Sequence, residues 1–290
     1  MKKSVLALTA VVAVPVLAAA GYAGLSPGAH ASASPRAAAA DQDTAAQGCA
    51  GLPSAAKLQT LMQEATVAHF PGLSPELRAG PGGIGGLYGG QREWGAVVNR
   101  AGQLCAWITN TSNPANAWPG SQAIAKAKAY TANAFSNSEN TGPNGNLPKG
   151  VPLSTARLYT LSQPGHSLWG LNQSNPFNPQ CEIASASSTE TQQQGLGQVC
   201  GGIITFGGGV PLYKGTQVIG GLGMSGDTAC ADHEMAKRVR DLAAQNPPGG
   251  PLEDDIQYAK VNGPSVFDHP LCINTYRNGS FIGTETPGSY

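Results

Sequence analysis

The sequence predicts an α+β fold in which α-helices flank an antiparallel β-sheet. Apolar residues alternate along two turn-containing stretches, as in β-hairpins, and recur every three or four residues along three others, as in amphipathic helices. The resulting order is helix, hairpin, helix, strands, hairpin, helix, which is typical of an α+β domain. A content of 39 glycines and 22 prolines among 290 residues indicates a loop-rich fold rather than a helical bundle.

In the first half of the chain, the pattern predicts one helix, one loop and one hairpin. The helix covers residues 57–70, where apolar residues recur at helical spacing, and it ends at Pro71. The glycine-dense residues 79–91 indicate a flexible surface loop. Residues 93–109 alternate as two strands around a turn at residues 99–102, which predicts a β-hairpin.

The middle of the chain is predicted to contain a second helix over residues 121–135, with Ser121 as its N-cap. Residues 156–162 have the composition of a strand. Residues 163–198 are mostly turn-forming residues, so no regular element is expected there. Residues 201–225 are then predicted to form strands around glycines, and Lys214-Gly215 is the tip of a tight hairpin.

The last predicted helix begins at Asp227 or Thr228, either of which can accept a hydrogen bond as an N-cap. It ends before the proline pair at residues 247 and 248, and the tail up to residue 290 is expected to be irregular. The apolar stripe that faces the core consists of Met235, Ala236, Val239, Leu242 and Ala243.

Residues 1–33 have the features of a secretory signal peptide. Lys2 and Lys3 precede an apolar run, and two A-x-A cleavage patterns end at residues 31 and 33. Residues 34–48 read as an Ala-rich linker, expected to be disordered, and residues 49–290 are predicted to form one domain. We therefore expect a secreted or periplasmic protein whose mature chain has no transmembrane segment.

The charge of the chain argues against two classes of partner. Lys2 and Lys3 are the only charged residues of the signal peptide, so its removal changes the formal net charge from 0 to −2. A nearly neutral protein lacks the basic surface that nucleic acids and anionic membranes attract.

The mature chain contains six cysteines, an even number that predicts three disulfides in an exported protein. Sequence alone allows fifteen pairings of six cysteines. No C-x-x-C pair occurs, which argues against a thioredoxin-like site and against covalent attachment of c-type haem. The cysteines are Cys49, Cys105, Cys181, Cys200, Cys230 and Cys272.

Residues 220–241, GGLGMSGDTACADHEMAKRVRD, match parts of three different motifs. Gly221, Gly223 and Gly226 satisfy G-x-G-x-x-G. A dinucleotide site also needs a second parallel strand that ends near an acidic residue, and none follows, so a tight strand-to-helix turn is preferred. Ser225 lies in a sequence that lacks the final glycine of a nucleophile elbow.

The third motif is a metal site. Cys230 and His233 lie three residues apart on one helix face, with Asp227 and Asp232 nearby, which is a suitable spacing for metal ligands. A disulfide at Cys230 would compete with such a site. His233 is expected on the polar face of the helix, either as a solvated side chain or as an accessible imidazole able to ligate iron. That face also carries Lys237 and Arg240.

Three segments resemble, in order, the GlcG/HbpS-like haem-binding family, also called the haem-degrading domain. Residues 207–240 resemble its closing motif, with G-G-x-P-L, a K-G hairpin tip, V-I-G-x-x-G-x-S-G and an acidic residue that opens the last helix. Residues 96–107 resemble its V-D-x-x-G-x-L hairpin, and residues 121–135 its A-x-x-K-A-x-T-A helix. The resemblance covers about residues 57–136 and 200–244.

The chain departs from the compact family pattern in three ways. Residues 137–199 form a long loop-rich insertion, Asn99 stands where aspartate is common, and the cysteines are additional. These features are similar to a longer secreted branch, and that similarity implies a disulfide between Cys230 and Cys272. Sequence proximity then pairs Cys181 with Cys200, which leaves Cys49 with Cys105.

The resemblance implies an antiparallel sheet flanked by helices, homo-oligomers, and noncovalent binding of haem or a related tetrapyrrole. Haem needs an apolar slot, a rim of donors and usually an axial ligand. His233 is the first candidate for the metal ligand, because it opens the last helix at an expected open hollow beside the glycine turn. His166 is the second, because Trp169 of the same segment could stack on a macrocycle. His69 and His269 are expected to be surface and structural residues.

On the second helix, Tyr130 and Thr131 are alternative oxygen ligands, since the matching helix of the family lies near its binding surface. Cationic side chains could bind the haem propionates. The candidates for this role are Lys126, Lys128, Lys237, Arg238 and Arg240.

Three functional hypotheses follow from the sequence and the resemblance. The first is a secreted haem-binding protein that holds haem noncovalently. The second is an enzyme of the same fold, which degrades haem with peroxide or acts on an unknown small molecule. The third is an interaction module for a membrane sensor.

Overall fold

The computed structural model describes residues 48–78, 82–138, 150–182 and 195–285. The predicted signal peptide and nearly all of the linker that follows it lie outside these residues. Four strands form an antiparallel sheet in the order β2-β1-β4-β3, which confirms the predicted α+β fold. The strands are β1 (Trp94–Asn99), β2 (Leu104–Thr109), β3 (Gly209–Lys214) and β4 (Gln217–Ser225).

Both predicted hairpins are present in the sheet. In the first turn, the backbone N–H of Gln103 donates to Asn99 Oδ1 at 2.9 Å, and Asn99 Nδ2 donates to Gln103 Oε1 at 3.0 Å. The short polar side chain of Asn99 therefore closes the turn, although aspartate is common there in the family. The second turn has its tip at Lys214 and Gly215, as predicted, and Gly215 adopts a φ of 60°.

In the described parts of the chain, three longer α-helices and two short ones accompany the sheet. They are α1 (Ala55–Ala65), α2 (Ser121–Phe135), α3 (Leu171–Ser174), α4 (Ala229–Leu242) and α5 (Ala259–Asn262). Thr228 is the N-cap of α4, because its hydroxyl accepts from the N–H of Ala231 at 3.2 Å. Ser121 is instead the first residue of α2, whose N-cap is Gly120, so that detail of the prediction was wrong.

The sheet is buried on both faces. Residues of α1 and α4 pack with one face, and they include the predicted stripe residues Met235, Ala236 and Val239. Helix α2 packs with the other face, where Ala125 and Ala129 meet Trp94 and other side chains of the hairpin. Burial on both faces explains why the inner strands are almost continuously apolar.

Two glycines of β4 allow α2 to approach the sheet closely. A Cβ atom at Gly221 would lie 2.2 Å from the carbonyl oxygen of Ala129, and one at Gly223 would lie 2.0 Å from that of Ala125. The sequence had indicated a strand-to-helix turn as the reason for all three glycines of the motif. That explanation holds for Gly226, where φ is 151° and a Cβ would meet the backbone of Arg92.

The C-terminal segment, residues 247–285, contains regular structure that the sequence did not predict. It includes α5 and a hairpin of β5 (Thr275–Arg277) and β6 (Ser280–Gly283). Residues 156–162, predicted as a strand, lie in two 3₁₀ turns instead. Their polar neighbours explain this difference, because Thr160 Oγ1 donates to the carbonyl of Asp268 and Arg157 binds carbonyls of the C-terminal segment.

All three predicted disulfides are present. The Cα atoms are 5.6 Å apart in Cys49–Cys105, 5.6 Å in Cys181–Cys200 and 5.9 Å in Cys230–Cys272. The last bond anchors the C-terminal segment to the first turn of α4. No helix in the described parts of the chain is long and apolar enough to span a bilayer.

Candidate functional site

The start of α4, where an open hollow was expected, is closed by the chain itself. The carboxylate of Asp227 accepts hydrogen bonds from the backbone N–H groups of Leu87 at 2.6 Å and Tyr88 at 2.8 Å. A Cβ at Gly86 would lie 2.3 Å from Asp227 Oδ1, so this loop lies directly against the helix start. The hollow predicted beside the glycine turn is therefore filled, and that expectation was wrong.

A buried charged cluster lies below this closure. Lys128 Nζ contacts Asp232 Oδ2 at 2.7 Å and also donates to the carbonyl of Met224 at 2.9 Å. Burial raises the pKa of Asp232 to about 6, although Lys128 opposes the rise. Burial and the nearby Asp232 raise the pKa of Glu93 well above its usual value. These groups interact with one another and offer no ligand at the surface.

His233 is fully buried, so the expectation of a solvated or accessible imidazole on a polar helix face was wrong. Neither ring nitrogen has a hydrogen-bond partner among the described residues. Burial, together with the nearby Lys237, lowers the pKa of His233 to about 3, so the ring is neutral at pH 7. The C-terminal segment covers this face of α4, which sequence periodicity could not indicate.

Lys237 and Arg240, expected on the same solvated face, form ion pairs under that cover. Lys237 Nζ lies 2.7 Å from Glu234 Oε1 and 2.5 Å from Asp255 Oδ1. Arg240 binds Asp254 through both terminal nitrogens, at 2.9 and 2.6 Å. Both positive charges form ion pairs within the protein, and neither side chain reaches a surface where a propionate could bind.

The remaining candidates for the propionates are also buried. Arg238 donates to the carbonyls of Ala65 at 3.1 Å and Gly83 at 3.3 Å. Lys126 Nζ donates to the carbonyl of Cys181 at 2.8 Å and lies 3.9 Å from the centre of the Trp107 ring. Burial lowers the pKa of Lys126 to about 7.

The two oxygen ligands proposed on α2 lie in different surroundings. The hydroxyl of Thr131 is buried, donates to the carbonyl of Ala127 at 2.7 Å and accepts from the N–H of Ile204 at 3.0 Å. It therefore holds residues 202–204 against the helix. Tyr130 is partly exposed and lies against the turn of the first hairpin, where a Cβ at Gly102 would touch its ring.

The other three histidines divide into exposed and buried residues. His166 is exposed in the turn before α3, where Trp169 is 64% exposed, and His69 is exposed after α1. His269 is buried and structural, as expected: its Nε2 accepts from the N–H of Gly207 at 3.2 Å, and its ring packs at a tilt of 53° against that of Tyr159.

One group of potential metal-ligand atoms occurs in the part of the chain that the structure describes. Atoms of Cys230, His269 and Cys272 lie within 4.8 Å of one another. The two cysteines form a disulfide, so they supply no thiolate to a metal. His233 is not part of this group, and the Cys230–His233 site considered from the sequence does not form.

An open groove lies along α2, on the side that the insertion covers, and we call it the α2 groove. It has a volume of about 220 Å³ and is mainly apolar. Its apolar walls come from Ala123, Ile124 and Ala127 of α2, from Pro176 and Phe177, and from Ile203 and Ile204. Asn172, Asn175 and Glu182 supply its polar side chains.

Sequence reasoning did not find the α2 groove. The sequence predicts residues 201–204, GGII, as part of a strand, and within the insertion it indicates only His166 and Trp169 as residues that contact a ligand. The available signal was the apolar pair Ile203 and Ile204 beside two glycines that both adopt a positive φ. Such glycines prevent a regular strand, and Ile204 is left partly exposed at the groove while Ile203 is buried behind it.

A model of the family described as "Haem degrading protein HbpS-like" matches residues 95–241, half of the chain. The chain belongs to the HbpS-like family. This confirms the resemblance drawn from the three motifs, and the matched span contains every residue that lines the α2 groove.

Solved structures that are similar to this chain include two proteins. One is the Klebsiella pneumoniae protein ORFY, at 24% identity, with 52% of this chain and 74% of that chain covered and a TM-score of 0.35. The other is a PduOC:haem complex, at 22% identity, with 52% and 77% covered and a TM-score of 0.34. No curated protein gives a significant match.

Proposed function

We propose that this HbpS-like protein binds haem or a related tetrapyrrole noncovalently in the α2 groove. The observation that carries the proposal is an open, mainly apolar slot within the span that matches a haem-related family model. Haem is a flat apolar plate with two carboxylates at one edge. Ile124, Ile204 and Phe177 are only partly buried, so their apolar surfaces remain available to such a plate.

Some of the polar side chains of the groove can bind the carboxylate edge of haem, and one opposes it. Asn172 is exposed and Asn175 is partly exposed, and their amide groups can donate hydrogen bonds to a propionate. Glu182 is the only ionisable residue of the lining, and its negative charge opposes a propionate nearby. The propionates would therefore lie at the Asn172 end, beside water.

An iron ligand must come from outside the lining, which contains no histidine, cysteine, methionine or tyrosine. Two of the four histidines of the mature chain, His233 and His269, are buried. His69 follows α1, on the other face of the sheet from α2. We infer that His166 is the protein ligand to the iron, because it is exposed and only six residues before Asn172.

Titration of haemin into the oxidised mature protein tests this proposal. Wild type should give a saturable Soret shift, and Ala123→Trp should abolish it because the indole fills the groove. Ala134→Trp is the matched control, since Ala134 is exposed on the same helix but outside the lining. Equal spectra for both tryptophan variants would place haem elsewhere.

The same titration separates the histidines. His166→Ala should change the position of the Soret band and weaken haemin binding by about tenfold. One coordinate bond is lost, while the apolar contacts of the site remain. His69→Ala and His233→Ala should match wild type. Loss of the Soret shift in His233→Ala alone, with its fold intact, would refute the assignment to His166.

The family description also supports a second function, degradation of haem. If the protein degrades haem, hydrogen peroxide should bleach the bound haemin faster than it bleaches haemin bound to albumin, with release of iron. Bleaching at the albumin rate would leave binding as the function. If the protein does degrade haem, Ala123→Trp should reduce its bleaching rate to the albumin rate, because the reaction requires a bound haem.

We propose that the protein acts outside the cytoplasm. Three disulfides support this location, because such bonds persist in oxidising compartments and are rare elsewhere. Homo-oligomer formation, implied by the resemblance, remains a prediction that sedimentation of the purified mature chain can test.

A further inference from the structure

A second pocket, of about 280 Å³, lies where the C-terminal segment meets the 3₁₀ turn at residues 155–158. In contrast to the α2 groove, it is polar. Apart from Arg157, its lining residues lie outside the span that matches the family model. The pocket is therefore built from additions to the common fold, and two arginines face it.

Arg157 reaches the pocket from the 3₁₀ turn. Its Nε donates to the carbonyl of Asp255 at 3.5 Å, and its Nη2 donates to the carbonyl of Glu253. The guanidinium lies 5.7 Å from the centre of the Phe267 ring. Its Nη1 group makes no hydrogen bond to any described residue. Carbonyls fix its direction without neutralising its charge.

Arg277 is held in the same manner from β5. Its Nη1 donates to the carbonyl of Ile256 at 3.3 Å and to Asn262 Oδ1 at 2.8 Å, and its guanidinium lies 5.9 Å from the centre of the Tyr258 ring. Nε and Nη2 have no partner in the described structure. Neither Arg277 nor Arg157 forms a salt bridge with a described carboxylate, so each keeps a full charge and free donors.

One acidic residue, Asp255, also lines the pocket. Its Oδ1 contacts Lys237 Nζ at 2.5 Å, and its Oδ2 accepts from Asn278 Nδ2 at 3.1 Å. Glu234, which is behind the lining, shares the same lysine. With both acids ionised, this group of three has a formal charge of −1, and the two arginines bring the total to +1.

We propose that this pocket binds a small oxyanion, a carboxylate or a phosphate, between Arg157 and Arg277. Guanidinium groups bind such oxygens with two parallel N–H donors, and groups already held by carbonyls lose little freedom on binding. Gln257 supplies an amide for a remaining polar atom of a small ligand, whereas both amide atoms of Asn278 already bind Lys237 and Asp255. The polar lining of this pocket suits a small charged metabolite rather than an apolar macrocycle.

Isothermal titration calorimetry of the oxidised mature protein at low ionic strength tests the proposal, with citrate and inorganic phosphate as separate probes. At least one should bind saturably, and the stronger of the two identifies the oxyanion. Arg277→Gln and Arg157→Gln should each weaken binding by about tenfold or more. Arg92→Gln is the matched control, because the exposed Arg92 also lies over an aromatic ring, that of Tyr88.

Absence of saturable heat with both probes at millimolar concentration would overturn the proposal. Equal weakening in Arg92→Gln would also overturn it, since the effect would then reflect net charge alone. Arg157→Gln removes contacts that hold the C-terminal segment, so Arg277→Gln decides the question if that variant does not fold. Haemin binding should be unchanged in Arg277→Gln, which keeps this test independent of the α2 groove.

Discussion

The imidazole of His233 has no hydrogen-bond partner among the described residues, and its pKa is lowered to about 3 by burial and by Lys237. In the unfolded chain the ring would titrate near its ordinary value of about 6.5. Between these two values the unfolded state binds more protons than the folded state. Stability is therefore fully present above pH 6.5 and decreases as the pH falls toward 3.

We predict that His233→Leu reduces this acid sensitivity. A buried neutral histidine costs up to about 1.4 kcal/mol of stability for each pH unit within the window. Leucine removes the titration, and because neither nitrogen is hydrogen bonded, it leaves no partner unsatisfied. Urea unfolding at pH 7, 6, 5 and 4 should show a shallower decline than wild type. Parallel curves would contradict the assignment; a residual decline is expected from His269, whose pKa burial lowers to about 4.

The roles of single residues were the hardest part to predict. The sequence correctly placed His233, Lys237 and Arg240 on one helix face. It wrongly predicted that this face is exposed to solvent, because the C-terminal segment covers it. Helical periodicity identifies the face that meets the main core. It cannot indicate that an irregular segment will cover the opposite face, because such a segment has no periodic pattern of its own.

At the level of elements, the contact between α2 and the sheet depends on Gly221 and Gly223. Both lie where a Cβ would meet the backbone of α2, and backbone atoms cannot move aside as a flexible side chain can. The α2 groove lies along the other side of this helix. Its position is therefore set by a direct contact between helix and strand.

We predict that Gly223→Ala destabilises the protein by about 3 kcal/mol or more. Its Cβ would lie 2.0 Å from the carbonyl oxygen of Ala125, and overpacking of this kind forces the backbone to shift. Urea unfolding monitored by tryptophan fluorescence measures the change. Gly83→Ala is the matched control, since that Cβ would meet nothing within 4 Å, and it should change stability by less than about 0.5 kcal/mol. Similar losses in the two variants would exclude the close contact as the cause.

Elements with a clear period were predicted well, and the reason is physical. The two hairpins and the helices α2 and α4 each bury a regular stripe against the sheet, so their sequences repeat at the matching period. The prediction for residues 156–162 failed because the short run has strand composition, while its conformation depends on hydrogen bonds to residues 98 and 108 positions away. Local sequence does not contain that information.

For the whole molecule, the C-terminal segment is attached to the common fold by charge as well as by a disulfide. Arg240 of α4 pairs with Asp254 at 2.6 and 2.9 Å, and neither side chain is exposed to solvent. Arg240 keeps the pKa of Asp254 below its usual value, despite burial. The pair joins the helix that closes the family motif to residues beyond it.

We predict that Arg240→Met destabilises the protein by about 3–5 kcal/mol, because it leaves Asp254 buried without its partner. Adding Asp254→Leu should restore much of the loss, since two apolar side chains carry no desolvation penalty. Urea unfolding of both variants measures the difference. A loss below about 1 kcal/mol in the single variant would show that the pair is not essential to the attachment. Haemin binding should persist in the folded double variant if Arg240 has no role at a propionate.

The overall architecture and the disulfide pairing were therefore predictable, while the location of the candidate site was not. The motifs that identify the family lie in the sheet and its helices. They can therefore locate a binding site only when the sheet and these helices form it. Here the α2 groove depends on Asn172, Phe177 and Glu182 of the insertion, which match no motif. The division into a linker and one domain remains a prediction.

The Cys181–Cys200 disulfide has a consequence for ligand binding. It joins the segment that carries Phe177 and Glu182 to the segment that carries Ile203 and Ile204, so two of the three segments around the α2 groove are covalently linked. A ligand would therefore bind to a groove whose walls are already ordered, so little of its binding free energy would be lost in ordering them. Reducing this disulfide should therefore weaken the binding of a ligand even though the ligand contacts neither sulfur atom.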